Sequence, residues 1–72
     1  MIGFVTIKPG AHLRADTITS VRVLPSNRIL VRWIEGRVTN AQTVDFDSEK
    51  LANKDCARIM SAIEMQLDMA RR

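Results

Sequence analysis

Asp45 and Asp47, one residue apart, together with His12 and Cys56, are the side chains of this sequence best equipped for acid–base or covalent chemistry. Two carboxylates on one strand face can relay protons or hold a cation, and a histidine beside a serine or cysteine can generate a nucleophile. The spacing argues against each use. His12 is the sole histidine, and nothing ties it to Ser20, Ser26, Ser48 or Ser61, so it reads as a surface residue near a turn. Cys56 falls on the apolar stripe of a helix and reads as a small buried hydrophobe. Asp45 and Asp47 stand where a strand gives way to a helix, a place where carboxylates cap backbone N–H groups. Glycine occurs only at positions 3, 10 and 36, too sparsely for a phosphate-cradling loop. His12 and Cys56 cannot complete a four-ligand zinc site, and one cysteine makes no intrachain disulfide. The sequence thus predicts a non-enzymatic binding protein that uses no metal and no cofactor.

The remaining chemistry is positive charge. The chain of 72 residues has a net charge of +3, unevenly spread. Residues 1–44 carry six basic side chains (five of them arginine) against Asp16 and Glu35, whereas residues 45–72 are close to balance. Arginine presents a planar fork of donors suited to carboxylate or phosphate. The first seven residues lack the basic region and long apolar run of a signal peptide, and no stretch reaches the roughly 18–20 apolar residues of a membrane span. One domain, residues 1–72, and a cytoplasmic location (the host's, for a phage product) are expected.

The elements that must position the arginines follow from periodicity. Residues 18–24 alternate and stop at Pro25-Ser26-Asn27, a turn signal. Residues 28–34 form a second strand, Glu35-Gly36 is the expected two-residue loop, and residues 38–46 return as a third. Residues 2–7 are expected to add a fourth strand ending at Pro9-Gly10, with residues 11–14 as a short link or edge piece. The helix comes last. Asp47 or Ser48 can cap it, Asn53 can cap a restart, and Cys56, Met60, Ile63, Leu67 and Ala70 form its apolar stripe, with Ile59 at the margin. The fold class is therefore α+β: a three- or four-stranded antiparallel sheet packed on one C-terminal amphipathic helix.

If Leu24 pairs with Arg28, then Val23 faces Ile29, Val21 faces Val31 and Thr19 faces Trp33. A two-residue loop at Glu35-Gly36 sets Val38 beside Trp33. Side chains alternate across a sheet, so Val21, Val23, Ile29, Val31, Trp33, Val38, Val44 and Phe46 share the core side. Asn40 and Gln42 share that parity, which means either that the helix leaves them uncovered or that a bulge shifts the register. The opposite side gathers Ser20, Arg22, Arg28, Leu30, Arg32, Thr39, Ala41 and Thr43, with Arg37 at its edge. Such a face can bind an acidic partner or a phosphate backbone, and the same arginines would also serve simply to keep it hydrated. On the helix, Ala62, Met65 and Met69 form a second apolar strip, the expected contact if the chain is a homodimer.

Residues 27–51 run from Asn27 through the hairpin to Asp45-Phe46-Asp47-Ser48 and Leu51. This stretch resembles the hairpin and helix start of small phage-encoded anti-CRISPR proteins that inhibit type I-F systems. Arg58-Ile59 with Ala62 and the closing Arg71-Arg72 are similar as well. The resemblance implies a sheet-plus-helix protein that docks on a CRISPR effector complex through exposed side chains of its sheet and blocks target DNA. That family's tyrosines have no counterpart here, because the sequence contains none. The expected function is a phage or mobile-element inhibitor whose partner is a protein, bound by Arg22, Arg28, Leu30, Arg32 and Arg37. The alternatives are a small basic accessory protein that binds nucleic acid through the same arginines, and a structural homo-oligomer built on Met65 and Met69.

Overall fold

A computed structural model describes residues 3–71. The elements run β1 (Phe4–Lys8), β2 (Ala11–Arg14), a 3-10 turn (Ala15–Thr17), β3 (Ile18–Leu24), β4 (Arg28–Glu35), β5 (Val38–Asp45) and α1 (Glu49–Ala70). All strand pairs are antiparallel, and they form two sheets: β1–β2, and β3–β4–β5 with β4 in the middle. The α+β class with one C-terminal helix is as the sequence predicts.

The first strand does not join the larger sheet as a fourth member. It pairs with β2 across Pro9-Gly10, so residues 11–14 are a full strand partner and not a link. Closing two residues costs far less chain entropy than reaching a distant strand. Ile2, expected in that strand, and Arg72 lie outside the described residues. A corner then redirects the chain. Arg14 grips Asp16 with two hydrogen bonds, of 2.8 and 3.1 Å, and Thr17 donates to the Arg14 carbonyl at 2.7 Å.

The β3–β4 register agrees with expectation from Leu24–Arg28 to Val21–Val31, but Trp33 meets Ile18 and not Thr19. The register slips there, and the Thr19 hydroxyl donates to the Arg32 carbonyl at 3.2 Å. In β4–β5 the loop is Gly36-Arg37, not Glu35-Gly36, and pairing runs unbroken from Arg28–Asp45 to Glu35–Val38. Gly36 has φ of 64°, while Arg37 stays at negative φ. A two-residue loop of this kind needs a left-handed residue first, which glycine adopts freely and glutamate does not. Glycine therefore takes the first loop position and the register slides by two residues. Parity survives such a slide, and so the two faces keep their residues.

One consequence is that Val38, expected in the core beside Trp33, is 61% exposed at the tip of the hairpin. The unbroken ladder also answers the question of Asn40 and Gln42. No bulge displaces them; both are half-buried, and α1 packs mainly against β1, the 3-10 turn, β3 and β4.

The helix is continuous from Glu49, with no restart at Asn53. Its cap is Ser48, whose hydroxyl accepts from the Leu51 N–H at 3.2 Å. Its buried line is Ala52, Cys56 and Ile59, continued by half-buried Ala62, Ile63 and Leu67. The apolar stripe is thus rotated from its expected position. Ile59 sits at the centre, fully buried, while Met60 is about half exposed and Ala70 is exposed. The helix has apolar partners on two sides, Val5 and Ile7 of the small hairpin as well as Ile29 and Val31 of the sheet. The phase of the helix is a compromise between them.

Arg58 fastens the helix to the hairpin. It donates to the Asp55 carboxylate at 2.8 and 3.2 Å and to the Thr6 carbonyl at 3.1 Å. The β1–β2 register shifts between Thr6 and Lys8, at the carbonyl that the guanidinium takes. The Asp55 hydrogen bonds hold the Arg58 pKa above its ordinary value, although partial burial opposes the shift. Both partners keep contact with water, so Arg58→Ala is expected to cost about 1 kcal/mol, a fall of about 4–8 °C in Tm. Arg58→Lys, a point charge without the fork, should restore less than half of that in a thermal melt.

Candidate binding face of the sheet

The outward side of β3–β4–β5 is built in rows across the strands: Ser20–Arg32–Ala41, Arg22–Leu30–Thr43 and Leu24–Arg28–Asp45. Leu30 is the hub. Arg22 lies directly opposite on β3, and Arg28 and Arg32 stand two residues away on either side along β4. Arg22 is the cross-strand diagonal neighbour of both, roughly 7–8 Å away, within reach of arginine side chains. Three arginines thus flank one half-buried leucine on a face otherwise made of small side chains. Arg22, Arg28 and Arg32 are exposed.

The arginines are not equivalent. Arg28 Nε lies 2.8 Å from the Asp45 carboxylate, an exposed ion pair across β4 and β5. No such pair ties down Arg22 or Arg32 in the ion pairs found among the described residues. Arg37 is in the loop, beyond the Ile34–Thr39 row, so it belongs to the hairpin tip and not to the cluster. The expected placement of Arg22, Arg28, Leu30 and Arg32 on one side of the sheet agrees with this register, and Arg37, expected at the edge of that face, stands at the hairpin tip.

No family model, curated protein or solved structure matches this chain.

The groups first considered for chemistry are dispersed. His12 is exposed on β2, its Nδ1 3.0 Å from the Thr6 hydroxyl across the small hairpin. Asp45 faces Arg28, and the helix cap falls to Ser48 and not to Asp47. Among the described residues no three His, Cys, Asp or Glu side chains come together to hold a metal ion, and no helix is long and apolar enough to cross a membrane.

Cys56 is buried. Burial pushes its thiol pKa up, and the neighbouring Asp55 carboxylate adds to the shift. The folded chain therefore holds the thiol proton more tightly than the unfolded chain does. The associated stability is complete below the ordinary thiol range and declines as pH rises through it. Iodoacetamide at pH 8 is expected to label the native protein at least about tenfold more slowly than the urea-unfolded chain, read by mass spectrometry. Equal rates would mean an accessible thiolate.

The second helical strip is only partly outward. Met65 and Met69 are exposed, at 62% and 59%, but Ala62 packs against the core. Ala62, expected in the same strip, is therefore only half exposed. Sequence reasoning missed Ala52, which is fully buried. Its spacing of four before Cys56 was the available signal, hidden by the expected break at Asn53.

Proposed function

We propose that this chain is a non-enzymatic inhibitor of phage or mobile-element type that binds a protein partner, a CRISPR effector complex, through the outward face of its larger sheet. The observation that carries this reading is the arrangement around Leu30. An apolar centre ringed by Arg22, Arg28 and Arg32 has the composition of an interface hot spot, with arginine forks available for carboxylates of the partner. The resemblance of residues 27–51 supplies the class of partner. The positive face argues against imitation of DNA charge and favours a partner surface that is itself acidic.

Capture of a type I-F effector complex by the immobilised chain tests the proposal. Binding should persist after nuclease treatment and decline gently between 50 and 200 mM salt. Capture that disappears with nuclease, or falls by orders of magnitude over that salt range, would assign the arginines to a phosphate backbone instead.

A further inference from the structure

We infer that β5 is a self-pairing edge, and that two copies of this chain join along it, antiparallel, about a two-fold axis through Ala41. The inference starts from the segment Arg37-Val38-Thr39-Asn40-Ala41-Gln42-Thr43-Val44-Asp45. Read outward from Ala41, it matches itself by chemical class for three steps, Asn40 with Gln42, Thr39 with Thr43 and Val38 with Val44, and by opposite charge at the fourth, Arg37 with Asp45. An antiparallel pairing centred on Ala41 sets each residue opposite its match in the other copy. Amide faces amide, hydroxyl faces hydroxyl, valine faces valine, and each terminal arginine faces an aspartate. Pairs of these kinds are the favourable cross-strand combinations.

The backbone has the matching phase. Phe46 N–H donates to the Asn27 carbonyl at 2.9 Å, continuing the β4–β5 ladder by one pair. Ladder bonds alternate, so Val44, Gln42, Asn40 and Val38 also spend their backbone groups on β4, whereas Thr43, Ala41 and Thr39 aim theirs outward. Those three are the residues that a two-fold at Ala41 brings face to face. The junction would form about six backbone hydrogen bonds with no groups out of step. A shift of one residue would oppose groups already used, and would also turn the second sheet over.

The outer edge of β5 is open. Among the described residues no strand pairs with it, and Thr39, Ala41, Thr43 and Asp45 are exposed. An eight-residue edge without proline or lysine is the kind that natural sheets otherwise block. Pairing also accounts for two features of the single chain. Val38 is 61% exposed and would be covered by Val44 of the other copy, and the polar Asn40 and Gln42 on the core side would form an amide seam. Asp45, whose side chain is 74% exposed, already meets Arg28 and retains acceptor capacity for Arg37 of the second copy. The product is a six-stranded sheet that sets the two Leu30-centred arginine clusters on one continuous face. The inference does not depend on which partner that face binds.

Cysteine cross-linking of the full chain reads the register directly. In the dimer Ala41 opposes Ala41, at a Cα separation a disulfide can span, while Thr39 opposes Thr43. Under mild oxidation A41C is expected to give a covalent dimer. T39C and T43C are each expected to stay single alone and to cross-link when mixed. Light scattering of the unmodified chain should report twice the chain mass at about 100 μM, and A41P, which removes only an outward N–H, should halve it while leaving the circular dichroism spectrum unchanged. A single-chain mass throughout, equal cross-linking by A41C and T39C, or a dimer that A41P spares and Met65→Glu dissolves, would overturn the inference.

Discussion

Ile59→Ala is expected to leave the chain largely unfolded at room temperature, whereas Met60→Ala, one residue away, should be nearly silent. Ile59 is fully buried where the helix meets both Val5 and Ile7 of the small hairpin and Ile29 and Val31 of the sheet. Removing three carbons there deprives two sheets of their shared contact, and neither can collapse into the gap without leaving the other. Such truncations cost about 2–5 kcal/mol. Domains of this size seldom hold more than about 3–5 kcal/mol in total, so the loss is comparable with the entire stability. Met60 is 47% exposed, in the groove between α1 and β3, and its truncation should cost about 1 kcal/mol or less. Urea titrations of the two variants beside the parent chain decide the matter. Comparable losses would mean that the helix sits in a different phase from the one described.

Reversing Arg22 and Arg32 together to glutamate is expected to reduce affinity for the captured partner by about 100-fold or more while leaving the urea midpoint close to that of the parent. Each guanidinium lost from a hot spot costs on the order of 2 kcal/mol, and each new carboxylate adds repulsion against an acidic surface. Neither side chain supports the fold through an intrachain ion pair found here, and both are exposed, so stability should move by less than about 0.5 kcal/mol. Arg28→Ala makes a useful contrast. Part of its charge is already spent on Asp45, so its loss should weaken binding less than Arg32→Ala does. Full-strength binding by the doubly reversed variant, measured by surface plasmon resonance, would remove the sheet face from consideration.

The arginine-bearing face was legible from residue parity because side-chain direction along a strand is a local property with period two. Val21, Val23, Ile29 and Val31 declare one side of the sheet, and Arg22, Leu30 and Arg32 are thereby assigned to the other, whatever the loops do. That is why a two-residue error in the β4–β5 register left the cluster around Leu30 intact and misplaced only Val38 and Arg37. A cap at Asp47 or Ser48 and the turn at Pro25-Ser26-Asn27 were legible for a similar reason, since each depends on a handful of neighbouring residues, and the structure chose Ser48.

By itself, then, the sequence determined the types of the longer elements and the sidedness of the larger sheet. The tertiary structure decided three other things: that Phe4–Lys8 folds back on Ala11–Arg14 instead of widening the sheet, that Ile59 and not Met60 carries the core, and that Val38 lies past the reach of the helix. The physical reason is common to all three. A helix with apolar residues on more than one flank has no preferred rotation until it lands. The surface that it lands on here is made by two sheets, whose relative placement no local pattern encodes.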